Sequence, residues 1–474
     1  MSGGKTGTVQ RLQEYSIPLI AGVVVAMVMA NVAPGTYEKL IHTPVYAIGS
    51  AFTSTEDLSS TSHLDAHSES PSRHAVAASV VHGTEPQDHS AVHLDNHAVS
   101  AHGHGGWGHY FTLHFLINDI FMVFFFGIAA KEITEACLPG GPLNPPSKAV
   151  NPLLGTLGGV LGPIATFLAA NSIFGETTWY RGWGIPTATD IALAWLVARF
   201  VFGNGHPAIK FLLLLAVADD AIGLGIIAFA YPDPDQATQW LNTAWIIPGV
   251  ALAYGLRRFN VQHWWIYVLI GGAFTWWGLF SAHLHPALAL VFIVPFLPGP
   301  KRDLGLFVEE DRDDASVHGT HHVHSPLENF EHTLKLSVDL GLFFFAFANA
   351  GVPLSGISNL SWIVLASLLI GKTVGVTLFS FVGDRLGFKL PDGMEFRHLV
   401  VTGVTAGLGL TVALFVSAQA FTDPATQGAA KMGALFSGGV AAASFALGWA
   451  LNVRNRETTF SLQQVLFWKR SPAR

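Results

Sequence analysis

Apolar residues in this chain come in long unbroken runs, not at the spacing of a half-buried helix or strand. Runs of about twenty recur, which is the length a helix needs to cross roughly 30 Å of hydrocarbon. They predict spans near 16–34, 111–135, 150–174, 183–201, 207–231, 241–256, 263–280, 284–298, 334–352, 359–383, 396–421 and 429–451. The fold class expected is an all-α membrane protein of about 12 transmembrane helices. Lys5 and Arg11 precede the first run, as in a secretory leader. That run is long and lacks Ala-x-Ala before Pro34, which favours a retained helix.

Two polar inserts break the pattern and divide the chain. Residues 1–51 hold the N-terminus and first span, and 52–109 form a histidine-rich insert expected outside. Residues 110–300 carry spans two to eight, and 301–330 form an inner loop rich in acids and histidine. Residues 331–453 carry spans nine to twelve, and 454–474 a basic tail. With the N-terminus in the cytoplasm, Lys39, Arg73, Arg181 and Lys431 lie outside and Lys372 lies within a span. The other 20 of the 25 basic residues lie inside. So strong a positive-inside bias predicts a multi-pass protein of twelve spans with both termini cytoplasmic.

Composition narrows the class further. Half of the 474 residues are apolar and 12% are charged, which excludes an ordinary soluble enzyme. A lone cysteine, Cys137, forbids an intrachain disulfide framework. No nucleic-acid motif is present.

The chemistry concentrates in 211–228, FLLLLAVADDAIGLGIIA. A helix entering near Pro207 carries Asp219 about 18 Å along its axis, near mid-bilayer. Carboxylates there cost about 2.5–3.5 kcal/mol each on insertion scales, and are functional by default. Adjacent residues diverge by about 100°, so Asp219 and Asp220 cannot share one niche. One or both are expected to face a polar cavity; the plainer reading is a helix-to-helix salt bridge. Lys372, in LLIGKTVGVTLF, is expected at the same depth, as a switch against a carboxylate or as a static ion pair.

Two spans predict broken helices. The fourth, GWGIPTATDIALAW, places Pro186 before Thr187, Thr189 and Asp190. The eleventh, GVTAGLGLTVALF, holds Gly403, Gly407 and Gly409. Freed carbonyls and half-helix ends of such spans line polar cavities, although glycines alone also serve close packing. Asp190 is expected at the positive N-terminal end of the opposing half-helix. Hard carboxylate oxygens bind both alkali cations and protons, so competition for one pair yields exchange.

At these residues the chain resembles the NhaA-type bacterial sodium/proton antiporters. The likeness rests on ATDIA at 188–192, LAVADDAIG at 215–223, FAFANAGV at 345–352, LLIGKTVG at 368–375 and the glycine-rich eleventh span. It implies inverted repeats with broken, crossing spans 4 and 11. It implies Na+ or Li+ exchanged for H+ without a cofactor, in a non-enzymatic protein serving pH homeostasis. Asp219, Asp220 and Thr189 would bind cation or protons, with Asp220 the principal ligand. Lys372 would pair with Asp219, Asp190 would compensate helix ends, and Asp119 would be secondary. A homodimer is the candidate assembly. Two departures stand out. In GIAAKEITE (127–135), Ala129 and Ile133 occupy the family's glutamate positions, linked to pH response. The histidine-rich insert replaces a short outer hairpin associated with dimer contact.

His89, His93 and His97 are four apart and would share a helix face, a spacing able to hold zinc, nickel or copper. Serine, glycine and acids mixed in without a repeat favour a solvated loop. Two rival functions remain for the whole chain. An intramembrane aspartyl protease needs aspartates on facing helices and Gly-x-Gly-Asp, which is absent. A non-transporting sensor or metal-binding protein on a transporter-like scaffold would have no use for costly buried charges.

Overall fold

The structure is a computed structural model describing residues 16–44, 112–139, 141, 143–144, 146–232, 237–300 and 325–453. Among these residues every named element is a helix, and the lone β-bridge joins Pro44 to Thr112 at the two ends flanking 45–111. The helices, in order, are α1 (Ile17–Val32), α2 (Pro34–His42), α3 (Leu113–Ala136) and α4 (Pro146–Phe174). Then come α5 (Thr177–Thr187), α6 (Ile191–Phe202), α7 (Pro207–Ala230), α8 (Ile246–Arg258) and α9 (Ala273–Ser281). The rest are α10 (Pro286–Phe296), α11 (Pro326–Asn349), α12 (Asn359–Arg385), α13 (Phe396–Ala406), α14 (Leu410–Ala420) and α15 (Pro424–Ala450).

Five helices, α3, α4, α7, α12 and α15, are each long and apolar enough to cross a membrane. Counting α5–α6 and α13–α14 as single bent spans gives seven. The other predicted spans coincide with helices that are shorter or more polar, such as α1 and α10. The bundle is apolar outside as well as inside. Val24, Val28, Leu161, Ile173, Phe229, Leu269, Val374 and Trp449 are all exposed. A bundle in water would show polar side chains there, so these faces suit lipid, as expected of a multi-pass membrane protein.

Close approach of α4 and α12 sets the centre of the fold. Gly158 and Gly162 face Gly371 and Gly375, and a Cβ at any of them would run into backbone of the opposite helix. Small residues four apart let two backbones touch, which is how helices associate where lipid gives no hydrophobic drive. Asn151 ties the same pair, its side-chain amide donating to Ser380 O at 3.0 Å and Phe388 O at 2.6 Å. This crossing fixes Lys372 on α12 beside α4 and α7.

One span boundary differs from expectation. The last span begins at Pro424, capped by Asp423, and not at 429. Lys431 lies about two turns into α15 and is 8% exposed. Lys372 is thus not alone as a basic residue within a span. The weakly apolar stretch PATQGA hides this early start from a hydropathy reading.

Candidate functional site

Both glycine- and proline-marked spans break where expected, and their breaks meet. α5 is a 3-10 helix whose Pro186 leaves helical geometry, and the chain is extended at Ala188 and Asp190 before α6. The bend between α5 and α6 is 58°, and that between α13 and α14 is 45°. At the meeting point the Asp190 amide donates to Leu408 O at 2.6 Å. Gly409 sits so close that a Cβ there would lie 2.7 Å from Ala188 O. The extended linker of the first break thus donates to a backbone carbonyl of the second, which is how irregular chain within a membrane protein stays hydrogen-bonded.

Asp190 sits between two helix starts. Its Oδ1 accepts from Leu193 N at 3.1 Å, capping α6, and its Oδ2 accepts from Thr411 N at 3.3 Å in the first turn of α14. An acid facing two N-terminal ends is favoured by both helix dipoles.

Asp219 is fully buried and belongs to an ion pair. Lys372 Nζ lies 2.5 Å from Asp219 Oδ2 and also donates to Thr187 O at 2.5 Å, a carbonyl freed by the break after α5. The Thr189 hydroxyl lies 2.8 Å from the same Oδ2 and 2.9 Å from Ala406 O at the end of α13. One lysine therefore holds α12, α7 and the first broken span together, and Thr189 joins them to the second. Asp219 Oδ1 has no hydrogen-bond partner among the described residues although it is buried.

Asp220 points elsewhere. It borders a cavity with Phe125, Phe126, Ala129, Leu224, Ile227 and Val412. Its Oδ1 is likewise buried without a partner among the described residues. The cavity's other lining is apolar, where a polar one was expected; the α3 aromatics supply that wall. Buried carboxylate oxygens are rarely left unsatisfied, and here two lie on adjacent residues.

Residues 74–451 match the family described as Na+/H+ antiporter 1. The chain belongs to that Na+/H+ antiporter family. A relative in Geobacter metallireducens, named Na(+)/H(+) antiporter NhaA, is 49% identical over 443 residues, covering 94% of this chain and 97% of its own. One of the same name in Geobacter sulfurreducens is 48% identical with the same coverage. Another in Desulfitobacterium hafniense is 47% identical over 453 residues, covering 95% and 98%.

The remaining expected site residues of this antiporter-family chain lie apart from the crossing. Asp119 sits in a π-helical turn of α3, half-buried, with no hydrogen bond or ion pair among the described residues. Its neighbour Asn118 instead accepts from Asn349 of α11 at 3.0 Å. His89, His93 and His97 fall outside the described residues, and within those described no group of three or more ligands fits a metal. The Thr187 and Ala406 carbonyls were not singled out by sequence, because their use depends on which helices cross. Nor was the network in which Lys131 pairs with Glu331 and meets Glu135 at 2.6 Å.

Proposed function

We propose that this antiporter-family member is a secondary active antiporter that exchanges Na+ or Li+ for H+ by alternating access at Asp219 and Asp220. It is a transporter and not an enzyme, and needs no cofactor. One observation carries the reading: adjacent buried aspartates at the crossing of two broken helices, one held by Lys372 and one without a partner.

Hard oxygens suit small alkali ions, and the same oxygens bind protons. Asp220 is the principal ligand, with Thr189 assisting and Asp219 joining when Lys372 releases it. In the paired arrangement Lys372 occupies Asp219 Oδ2, so a cation there must compete with the ammonium. Asp190 holds the crossing together through both helix starts, and Asp119 has a secondary part. Loading drives alternating access only if the two states bind the ion differently. The Lys372 contact supplies such a difference, being made to the Asp219 carboxylate and to the backbone of the broken span.

The finer architecture follows the same reading: twelve spans built as inverted repeats, both termini cytoplasmic, in a bacterial inner membrane, with a homodimer as the assembly. The test uses everted membrane vesicles holding the full chain. Addition of Na+ or Li+, compared with K+, should release internal protons. Unchanged internal pH with all three would overturn the reading.

A further inference from the structure

The ammonium of Lys372 has two acceptors, and the second of them is set from the far end of α7. Asp219 Oδ2 is the first and Thr187 O the second, each at 2.5 Å. The Thr187 hydroxyl donates back to Gly184 O at 2.7 Å, one 3-10 turn earlier in α5. The Gly184 amide in turn donates to the Tyr231 hydroxyl at 2.8 Å. That hydroxyl donates onward to Arg181 O at 2.8 Å. One line of hydrogen bonds thus runs from Asp219 through Lys372, Thr187 and Gly184 to Tyr231.

Tyr231 follows the last residue of α7, about 18 Å along its axis from Asp219. The line therefore begins and ends on one helix, with α5 as the strut between. The Tyr231 side chain is 1% exposed, and its ring stacks on Trp183 at 6.2 Å. A Cβ on residue 184 would lie 2.7 Å from the hydroxyl, so the approach requires glycine there. The Arg181 guanidinium adds a return contact, donating to Pro232 O at 3.3 Å. A buried phenol that both donates to and accepts from the backbone of another element fixes where that element lies.

We propose that Tyr231 is a positioning residue for the Lys372 switch; this rests on the antiport reading above. By holding Gly184 it holds the Thr187 carbonyl against the ammonium, and so sets how firmly Lys372 keeps cations off Asp219. Without the hydroxyl, Gly184 N and Arg181 O lose their partner and the last turn of α5 is no longer fixed. The ammonium then keeps Asp219 but loses a fixed second acceptor, and a cation displaces it at lower concentration.

The test follows Na+-driven proton release in everted vesicles holding the full chain. Tyr231→Phe keeps the ring and removes the hydroxyl. It should lower the apparent KM for Na+ by about two- to tenfold, the scale of one hydrogen bond, and shift the pH profile. The maximal rate should move less than the KM. Thr187→Val cuts the same line at its next link, and serves if Tyr231→Phe folds poorly; it should lower the KM alike. The double variant should add little to either change, since both break one chain in series. Tyr37→Phe is the matched control. The Tyr37 hydroxyl also joins two backbone groups, Phe347 O at 2.6 Å and Gly351 N at 3.1 Å, neither of them tied to Lys372. Its loss should lower the melting temperature in detergent about as much as Tyr231→Phe does, and leave the KM unchanged. An unmoved KM in both Tyr231→Phe and Thr187→Val overturns the positioning role while leaving antiport standing. An equal KM change in Tyr37→Phe also overturns it. Absence of cation-driven proton movement in the unaltered protein would overturn both readings together.

Discussion

The carboxylate of Asp190 takes a hydrogen bond from the Thr411 amide at 3.3 Å while capping its own helix through Leu193 at 3.1 Å. The side chain is 4% exposed, so water cannot replace either contact. Asp190→Ala should therefore destabilise the protein by about 1–2 kcal/mol per cap lost, with a matching fall in exchange rate. Asp190→Asn keeps an acceptor oxygen and should lose less. Thermal melting in detergent beside vesicle exchange checks both; an Asp190→Ala protein as stable as its parent would contradict the bridging role.

Lys372 and Asp219 give a sharper contrast. Removing one partner of a buried pair leaves an uncompensated charge, at a cost of about 3–5 kcal/mol. Lys372→Ala should melt well below the parent. Lys372→Met combined with Asp219→Asn should recover much of that stability, because neither charge is then buried alone. The double variant should still fail to exchange. A double variant less stable than Lys372→Ala would show that the pair is not the source of the cost.

The α4–α12 crossing predicts a glycine requirement. Gly375→Ala should yield little folded protein, because the new Cβ meets the backbone of Gly158. Gly255 on α8 has nothing within 4 Å of the same added atom. Gly255→Ala should be neutral or more stable by up to about 1 kcal/mol, from helix propensity. Yield of monodisperse protein after detergent extraction separates the two.

At one end of the bundle, His206 joins the start of α7 to that of α13. Its Nδ1 accepts from Ala208 N at 3.1 Å, and its ring lies 4.7 Å from that of His398, next to Phe202. Burial, and then the neighbouring imidazole of His398, hold its pKa below the ordinary 6.5. The folded protein thus takes up a proton here less readily than the unfolded chain. Stability is full above the ordinary pKa and is lost as pH falls from there through the lowered folded value. Melting temperature should drop between about pH 7 and 5, and His206→Asn, which still caps the helix, should flatten that drop. Equal slopes in the two proteins would contradict this.

Much of the crossing could be read from residue order. An apolar run entered at Pro207 put two acids midway along a helix, since distance along a helix is a matter of counting. Pro186 and the Gly407–Gly409 stretch announced the breaks, because each disturbs a helix locally. What escaped depends on tertiary packing. Thr187 O serves Lys372 only because α12 passes beside the first break, 185 residues away. Lys131 and Glu331 meet from 200 residues apart. The start of α15 was placed too late because small, weakly apolar residues open it, so local hydropathy begins later than the helix does. The apolar walls around Asp220 come from α3 and α14, whose approach no periodicity reveals.

The account rests on one carboxylate pair holding a proton and a metal ion by turns. Its most direct test is isotopic Na+ binding to the purified full-length protein as pH is varied, with proton release recorded in the same sample. Binding should weaken as pH falls, each Na+ bound should displace protons, and Asp220→Asn should do neither while remaining folded. Sodium binding that ignores pH and frees no protons, or that survives in Asp220→Asn, would contradict it.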